Sequence, residues 1–73
     1  MIEDNRLLRL RDIQHLTGLS RSTIYRLQGA GTFPERVRLS QRTSAWRAWE
    51  VTAVIDARVA GKSDDDIRSL VAQ

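Results

Sequence analysis

The sequence predicts a small, mainly α-helical domain with one β-hairpin, the arrangement called a winged helix-turn-helix. Two short helical patterns lie close together, a strand-like stretch with a polar turn follows Pro34, and two further helical patterns complete the chain. With 73 residues, of which 41% are hydrophobic, the chain has room for one core. We therefore expect a single domain over residues 1–73, with the helix-turn-helix at about 10–30.

A short apolar run at residues 7–10 precedes the first helix. It is too short for a helix of its own and predicts a strand or an extended segment. From Leu10 onward apolar residues recur at every third position, at Ile13 and Leu16. This spacing predicts a helix over 11–17 with that face toward the core.

Gly18 follows this helix and can adopt the left-handed conformation that closes it, with Leu19 folding back onto the core. Ser20 is predicted to cap a second helix, because its hydroxyl can accept from a free backbone N–H two or three positions later. Ile24 and Leu27 form the apolar face of that helix, and two glycines shortly afterwards end it.

The opposite face of the second helix is polar and basic. Its residues are Arg21, Ser22, Tyr25 and Arg26. Two short helices with this kind of second helix are typical of a helix-turn-helix, in which the second, or recognition, helix enters the major groove of DNA. The alternative from the residues alone is an ordinary helical hairpin whose outer side chains face water.

After Pro34 apolar and charged residues alternate, and the polar residues 40–43 supply a turn before a return strand at 44–46. The pattern predicts a hairpin over about 35–47, which would be the wing. Its arginines would lie near the phosphate backbone or in the minor groove. They are Arg36, Arg38 and Arg47 along its sides and Arg42 at its tip.

Two tryptophans lie at the end of the wing and just after it. Trp46 could stack on nucleic acid, but its place in a strand beside apolar neighbours predicts a core anchor. Trp49 either packs between the wing and the next helix or contacts a partner protein, and the sequence leaves both open. That third helix is predicted over 48–60, ending at Gly61. Its apolar residues are Val51, Val54, Ile55 and Val59.

Ser63 and three aspartates open a last helix, predicted over 63–72, where the carboxylates complement the helix dipole. The helix has an apolar stripe that either completes the core or joins two copies of the chain, and we favour the core. Its residues are Ile67, Leu70 and Val71.

Charge is distributed unevenly along the chain. Residues 6–47 carry nine arginines against two carboxylates, a net charge of +7, whereas residues 1–5 and 48–73 each carry −2. Eleven of the twelve basic residues are arginine, whose planar group suits phosphate oxygens and guanine edges better than lysine does. The basic middle segment favours double-stranded DNA as the partner over a merely solvated surface.

Other functions find little support. The chain has no cysteine, and its lone histidine, His15, lacks the set of carboxylate partners at helical spacing that a metal site needs, so no metal site is predicted. The sequence 60–63 looks like the end of a phosphate-binding loop, but Asp56 occupies the place of the required first glycine. Neighbouring aspartates on a helix point in different directions and cannot converge on one ion. We expect no enzyme activity and no cofactor.

No apolar stretch approaches the roughly 20 residues of a membrane span. The first five residues are acidic, whereas a secretory signal begins with basic residues. We therefore expect a cytoplasmic protein without membrane contact.

The residues also carry a family resemblance. Its most specific pieces are the unbroken run Gly18 to Leu27 and the step Gly31 to Pro34, with residues 7–10 and 46–47 adding to them. Over about residues 6–58 the chain resembles the AlpA family of phage and prophage regulators. The resemblance implies a MerR-like winged helix-turn-helix and a sequence-specific DNA-binding transcriptional regulator of a bacterial mobile genetic element. Related small proteins of the same shape serve as excisionases.

Carried over to this chain, the resemblance places six residues on the recognition helix and one on the wing. They are Ser20, Arg21, Ser22, Thr23, Tyr25 and Arg26, together with Arg42. Similar proteins often carry a polar residue at the place of Trp49 and a tryptophan near that of Val54, so the third helix should pack differently here. The last helix lies outside the resemblance, which leaves oligomeric state and partner choice open.

Three functions are compatible with these residues. The protein could bind a promoter and recruit or block RNA polymerase, or it could be an excisionase that bends an attachment site and contacts an integrase. The third is a protein-interaction module without DNA binding, which would use Trp49 and the apolar stripe of the last helix. Because so small a domain buries little DNA surface, we expect two or more copies on adjacent half-sites.

Overall fold

The computed structural model describes residues 6–72 and contains four helices and a three-stranded antiparallel sheet within them. In chain order the elements are β1 (Leu7–Leu8), α1 (Leu10–Thr17), α2 (Arg21–Gly29), β2 (Val37–Ser40), β3 (Thr43–Arg47), α3 (Ala48–Val59) and α4 (Asp64–Ala72). β3 lies between β1 and β2. The arrangement confirms the predicted mainly α-helical fold with a helix-turn-helix, formed by α1 and α2, and a β wing, formed by β2 and β3.

The acidic residues 1–5, on which the expectation about a secretory signal rests, lie outside the described residues. Among residues 6–72, no helix has the length and apolar character needed to cross a membrane.

The connection between α1 and α2 is built from local contacts. Gly18 adopts a φ of 73°, the left-handed conformation predicted for it, and its N–H donates to Gln14 O at 2.7 Å. The hydroxyl of Thr17 donates to Ile13 O at 2.7 Å and accepts from the N–H of Leu19 at 3.1 Å. These bonds set the angle between the two helices and turn Leu19 back onto the core, where it packs.

Both predicted serine caps are present. Ser20 Oγ accepts from the N–H of Thr23 at 3.2 Å at the start of α2, and Ser63 Oγ accepts from the N–H of Asp66 at 3.1 Å at the start of α4. Each bond satisfies one of the backbone donors that a helix leaves free in its first turn. The starts of α2 and α4 are therefore determined by local sequence.

The core draws one or more side chains from every helix and from β1 and β3. Its buried members are Leu8, Ile13, Ile24, Phe33, Trp46, Ala48, Val51, Val54 and Ile67. Trp46 is 1% exposed and its Nε1–H donates to Pro34 O at 3.0 Å, which confirms it as the core anchor. Ile67 is fully buried, so α4 completes the core as favoured above.

α4 also contacts the end of α2. The Nε of Arg68 donates to Ala30 O at 2.9 Å, and its Nη1 pairs with Asp65 at 2.9 Å. A second ion pair, between Arg58 and Asp64 at 2.8 Å, joins α3 to α4. α4 is thus packed against both the core and the helix-turn-helix.

Three helix residues predicted to face the core are instead exposed: Leu16 by 59%, Val59 by 83% and Leu70, in α4, by 36%. Leu16 and Val59 lie in the last turns of their helices, α1 and α3. Periodicity predicts which face of a helix a side chain lies on, but it does not predict how far along the helix a neighbouring element extends to cover that face. Just after α1, Leu19 packs against the core, whereas Leu16 does not.

The wing is tighter than predicted. The turn consists of Gln41 and Arg42 alone, rather than residues 40–43, because Ser40 pairs directly with Thr43. The register shifts between Arg38 and Ser40, which marks a bulge at Leu39. Leu39 is 49% exposed there, so the alternating pattern does not bury it.

Candidate nucleic-acid interface

Three parts of the fold surround one open cleft of about 560 Å³: the start of α1, the start of α2, and the wing. Five arginines line it: Arg9, Arg11, Arg21, Arg36 and Arg42. Tyr25 and Trp46 also line it. The tertiary structure therefore gathers into one surface arginines that lie up to 33 positions apart in sequence.

Arg9 and Arg11 were not among the residues predicted to contact DNA. Both belong to the basic segment 6–47, but nothing local distinguishes them from arginines that merely face water. The antiparallel pairing of β1 with β3, Leu7 opposite Arg47 and Leu8 opposite Trp46, places the start of α1 beside the base of the wing. That pairing joins distant segments, which is why sequence reasoning missed the two arginines.

The outward face of α2 is largely as predicted. Arg21, Ser22 and Arg26 are exposed. The hydroxyls of Ser20 and Thr23 bond to each other at 2.9 Å and belong to the helix cap. Arg26 is exposed farther along the helix and does not line the cleft.

Tyr25 differs from the other predicted recognition residues because it is half-buried and packs against the core. Its ring centroid lies 6.2 Å from that of Trp46, with the two ring planes at 53°. The guanidinium carbons of Arg21 and Arg36 lie 5.8 Å and 5.6 Å from the centroid of the tyrosine ring. The ring of Tyr25 therefore contacts both Trp46 of the core and two arginines of the cleft.

The four wing arginines occupy different places. Arg42 lies in the two-residue turn and Arg36 at the base, and both line the cleft. Arg38 does not line it; its Nη1 donates to Gln41 O at 3.2 Å, across the turn. Arg47 lies on β3 and lines a separate groove together with Trp49.

The cleft carries an excess of positive charge, because its five arginines form no ion pair within residues 6–72. The ion pairs found in residues 6–72 are Arg58 with Asp64 and Arg68 with Asp65, all on α3 and α4 or the turn before α4. Asp12 is the single carboxylate lining the cleft, and its Oδ2 accepts from the N–H of Arg9 at 2.9 Å. Within the described part of the chain, no group of three His, Cys, Asp or Glu residues could hold a metal ion.

Trp49 is 48% exposed and lines a second groove, of about 520 Å³, together with Leu70, Val71 and Arg47. This groove lies between the base of the wing, α3 and α4. Trp49 is therefore neither enclosed in the core nor fully exposed on the surface.

Two comparisons with known proteins connect this fold to a family. The family model described as "Prophage CP4-57 regulatory protein (AlpA)" matches residues 6–59, which run from β1 to the end of α3 and include all of the cleft. The chain is also 48% identical over 61 residues to "Uncharacterized protein ORF88" of Enterobacteria phage P4. That alignment covers 84% of this chain and 69% of the phage protein. The chain therefore belongs to the AlpA family of prophage regulatory proteins.

Proposed function

We propose that this protein is a sequence-specific DNA-binding transcriptional regulator of a phage or another mobile genetic element. The observation that carries the proposal is the cleft, in which five arginines from three parts of the fold form no ion pair with any carboxylate of residues 6–72. Duplex DNA presents about one negative charge per 1.7 Å of its axis. The positive charges of the cleft arginines complement these phosphates. Membership of a prophage regulatory family supports the regulatory role.

In this proposal α2 enters the major groove. An α-helix with its side chains is about 10–12 Å across, and the major groove, about 12 Å wide, admits it. Arg21 and Arg26 extend from its exposed face, with Ser22 between them. An arginine can bind guanine O6 and N7 with two parallel hydrogen bonds, which makes these two residues the candidates for reading sequence.

The start of α2 supplies backbone contacts. The first turn of a helix has free N–H groups and a partial positive charge, and both favour a phosphate. Ser20 and Thr23 lie at this turn, with hydroxyls on the exposed side of the cap. We assign them to phosphate binding, with Arg9 and Arg11 binding phosphates on the opposite side of the cleft.

The wing supplies the second point of attachment. We assign Arg42, in the turn, to the phosphate backbone or the minor groove, and the bond from Arg38 to Gln41 O supports this assignment because it stabilises the turn. Arg36 at the base faces the same cleft as α2, and Arg47 flanks it from the neighbouring groove. The wing thereby orients α2 in the major groove.

We place this activity in the bacterial cytoplasm, on the nucleoid, with RNA polymerase as the machinery regulated. The proposal requires no catalytic step and no cofactor. Since one domain of this size covers little DNA, two or more copies are expected on adjacent half-sites.

The proposal is tested by a salt titration of binding to duplex DNA from the protein's own genomic neighbourhood, beside a scrambled duplex of equal length. If five arginines each neutralise one phosphate, the logarithm of affinity falls against the logarithm of salt with a slope of about −4.5. The variant Arg21→Ala/Arg26→Ala should lose the preference for the specific duplex and, because only Arg21 of these two is among the five cleft arginines, reduce the slope by about one.

Arg58→Ala/Lys62→Ala is the matched control, because it also removes two positive charges. Arg58 lines a different groove, next to Leu16 and Val59, and Lys62 lies in the turn between α3 and α4. The control should keep both the preference and the slope. The proposal is wrong if the wild type binds no duplex at low salt, or if the control loses as much affinity as the α2 variant.

A further inference from the structure

We propose that Tyr25 is a positioning residue, which holds Arg21 of the recognition helix and Arg36 of the wing in one fixed arrangement. It would couple the two DNA-contacting elements rather than read a base itself. The inference rests on the proposed function, since it names how two arginines of that site are oriented. The ring of Tyr25 packs against Trp46 and lies near both arginines.

The ring is fixed from the core side. Tyr25 is half-buried and tilts against Trp46, whose own side chain is 1% exposed. Trp46 in turn donates from Nε1 to Pro34 O at 3.0 Å, and Pro34 precedes Arg36 by two residues. The same tryptophan therefore locates both the tyrosine ring and the segment that carries Arg36.

The ring in turn contacts both arginines. The guanidinium carbon of Arg21 lies 5.8 Å from the ring centroid and that of Arg36 lies 5.6 Å from it, within the range of a cation–π interaction. Arg21 is four positions before Tyr25 on α2, so the helix places the two side chains on one face. Arg36 approaches from the segment before β2 and lines the same cleft.

This arrangement reduces two free-energy costs of a DNA-binding surface: repulsion between its cations and the ordering of their side chains on binding. Two cations facing one cleft repel each other, and the negative face of an aromatic ring offsets part of that repulsion. A free arginine also has many rotamers, and ordering them on binding weakens affinity. A guanidinium held against the tyrosine ring has fewer rotamers left to lose, and a cation–π contact uses none of its five N–H donors, which stay available for a phosphate or a guanine.

The competing role for Tyr25 is a direct hydrogen bond from its hydroxyl to DNA. Tyr25→Phe keeps the ring and removes the hydroxyl, whereas Tyr25→Leu removes the ring and keeps an apolar side chain of similar burial. If the ring positions the arginines, the Phe variant should bind the specific duplex within about twofold of wild type and the Leu variant about tenfold more weakly. A loss in Tyr25→Phe equal to that in Tyr25→Leu would overturn the proposal.

A double-mutant cycle separates positioning from a general loss of structure. In the background Arg21→Ala/Arg36→Ala, Tyr25→Leu should cost little further affinity, because the residues through which it acts are gone. A full tenfold loss in that background would show that Tyr25 acts through something other than these arginines. Thermal unfolding of each variant in the absence of DNA establishes that the compared proteins are folded.

The final readout needs no DNA. In NMR spectra of the free protein, the Hδ protons of Arg21 and Arg36 should show aromatic ring-current shifts in the wild type and in Tyr25→Phe. In Tyr25→Leu these shifts should be lost. Unshifted Hδ protons in the wild type would overturn the positioning role even if DNA binding is intact, whereas shifted protons with no duplex binding would refute the proposed function alone.

Discussion

Replacing Ile67 with Ala in α4 is expected to destabilise the protein by about 3 kcal/mol. Ile67 is 0% exposed, and truncating a buried isoleucine to alanine costs about 2–5 kcal/mol, from lost burial and the cavity left behind. Alanine is the better helix former by a few tenths of a kcal/mol, which offsets a small part. The change therefore tests whether α4, which follows the family-matched residues 6–59, is an integral part of the domain.

A loss of this size is large for the molecule. At about 0.05–0.15 kcal/mol per residue, a 73-residue domain has a total stability of roughly 4–11 kcal/mol. For a domain of this length each kcal/mol lowers Tm by about 4–8 °C, so a loss of 3 kcal/mol lowers it by about 12–24 °C. The variant should be measurably unfolded at temperatures where the wild type is intact.

The assay is urea unfolding followed by tryptophan fluorescence, which reports on buried Trp46, and by circular dichroism, which reports on all four helices. Leu70→Ala is the matched control, since Leu70 lies on the same helix and is 36% exposed. It should cost no more than about 1 kcal/mol. The reasoning is refuted if both variants cost the same small amount, or if α4 melts first without moving the fluorescence transition.

Three further predictions concern single contacts. Gly18→Ala should destabilise the protein by about 1 kcal/mol, whereas Gly29→Ala should stabilise it by about 0.5–1 kcal/mol. Neither new methyl group meets another atom within 4 Å, but of these two glycines only Gly18 has a positive φ, which alanine adopts at a cost; chemical denaturation measures the sign of each change. Ser20→Ala should lower the free energy of unfolding by about 1 kcal/mol, as measured by calorimetry, because the cap is lost. Ser20→Asp should keep the cap, but its negative charge should weaken DNA binding in a titration. Trp46→Phe should lower the free energy of unfolding by about 2 kcal/mol or more, because it removes the donor to Pro34 O, whereas Trp49→Phe should lower it by less than about 1 kcal/mol. Equal losses of stability in the two variants would contradict the structure.

Most element boundaries could be predicted because they depend on neighbouring residues. The left-handed Gly18 and the hydroxyl caps of Ser20 and Ser63 each act within about four residues, and all three form as expected. The wing strands were predicted from alternation, but the bulge at Leu39 shortened the turn. A bulge depends on how two strands pair, which alternation along one strand does not reveal.

The candidate interface was only partly predictable for the same reason. The outward face of α2 follows from helical spacing, so Arg21, Ser22 and Arg26 could be named in advance. Tyr25 has the same spacing, yet it turns inward because Trp46 and Arg36 offer its ring contacts from another part of the chain. Which of the remaining arginines share the cleft depends on how strands pair.

The sequence by itself determined the fold class, the helix caps, the basic middle segment and the family, because each is carried by local spacing, residue type or an unbroken motif. Only the tertiary structure decided that Arg9 and Arg11 join the cleft, that α4 seals the core through Ile67, and that Leu16 stays exposed. These outcomes depend on where one element ends against another. Contacts between residues far apart in the chain are set by packing of the whole core, which no local pattern encodes.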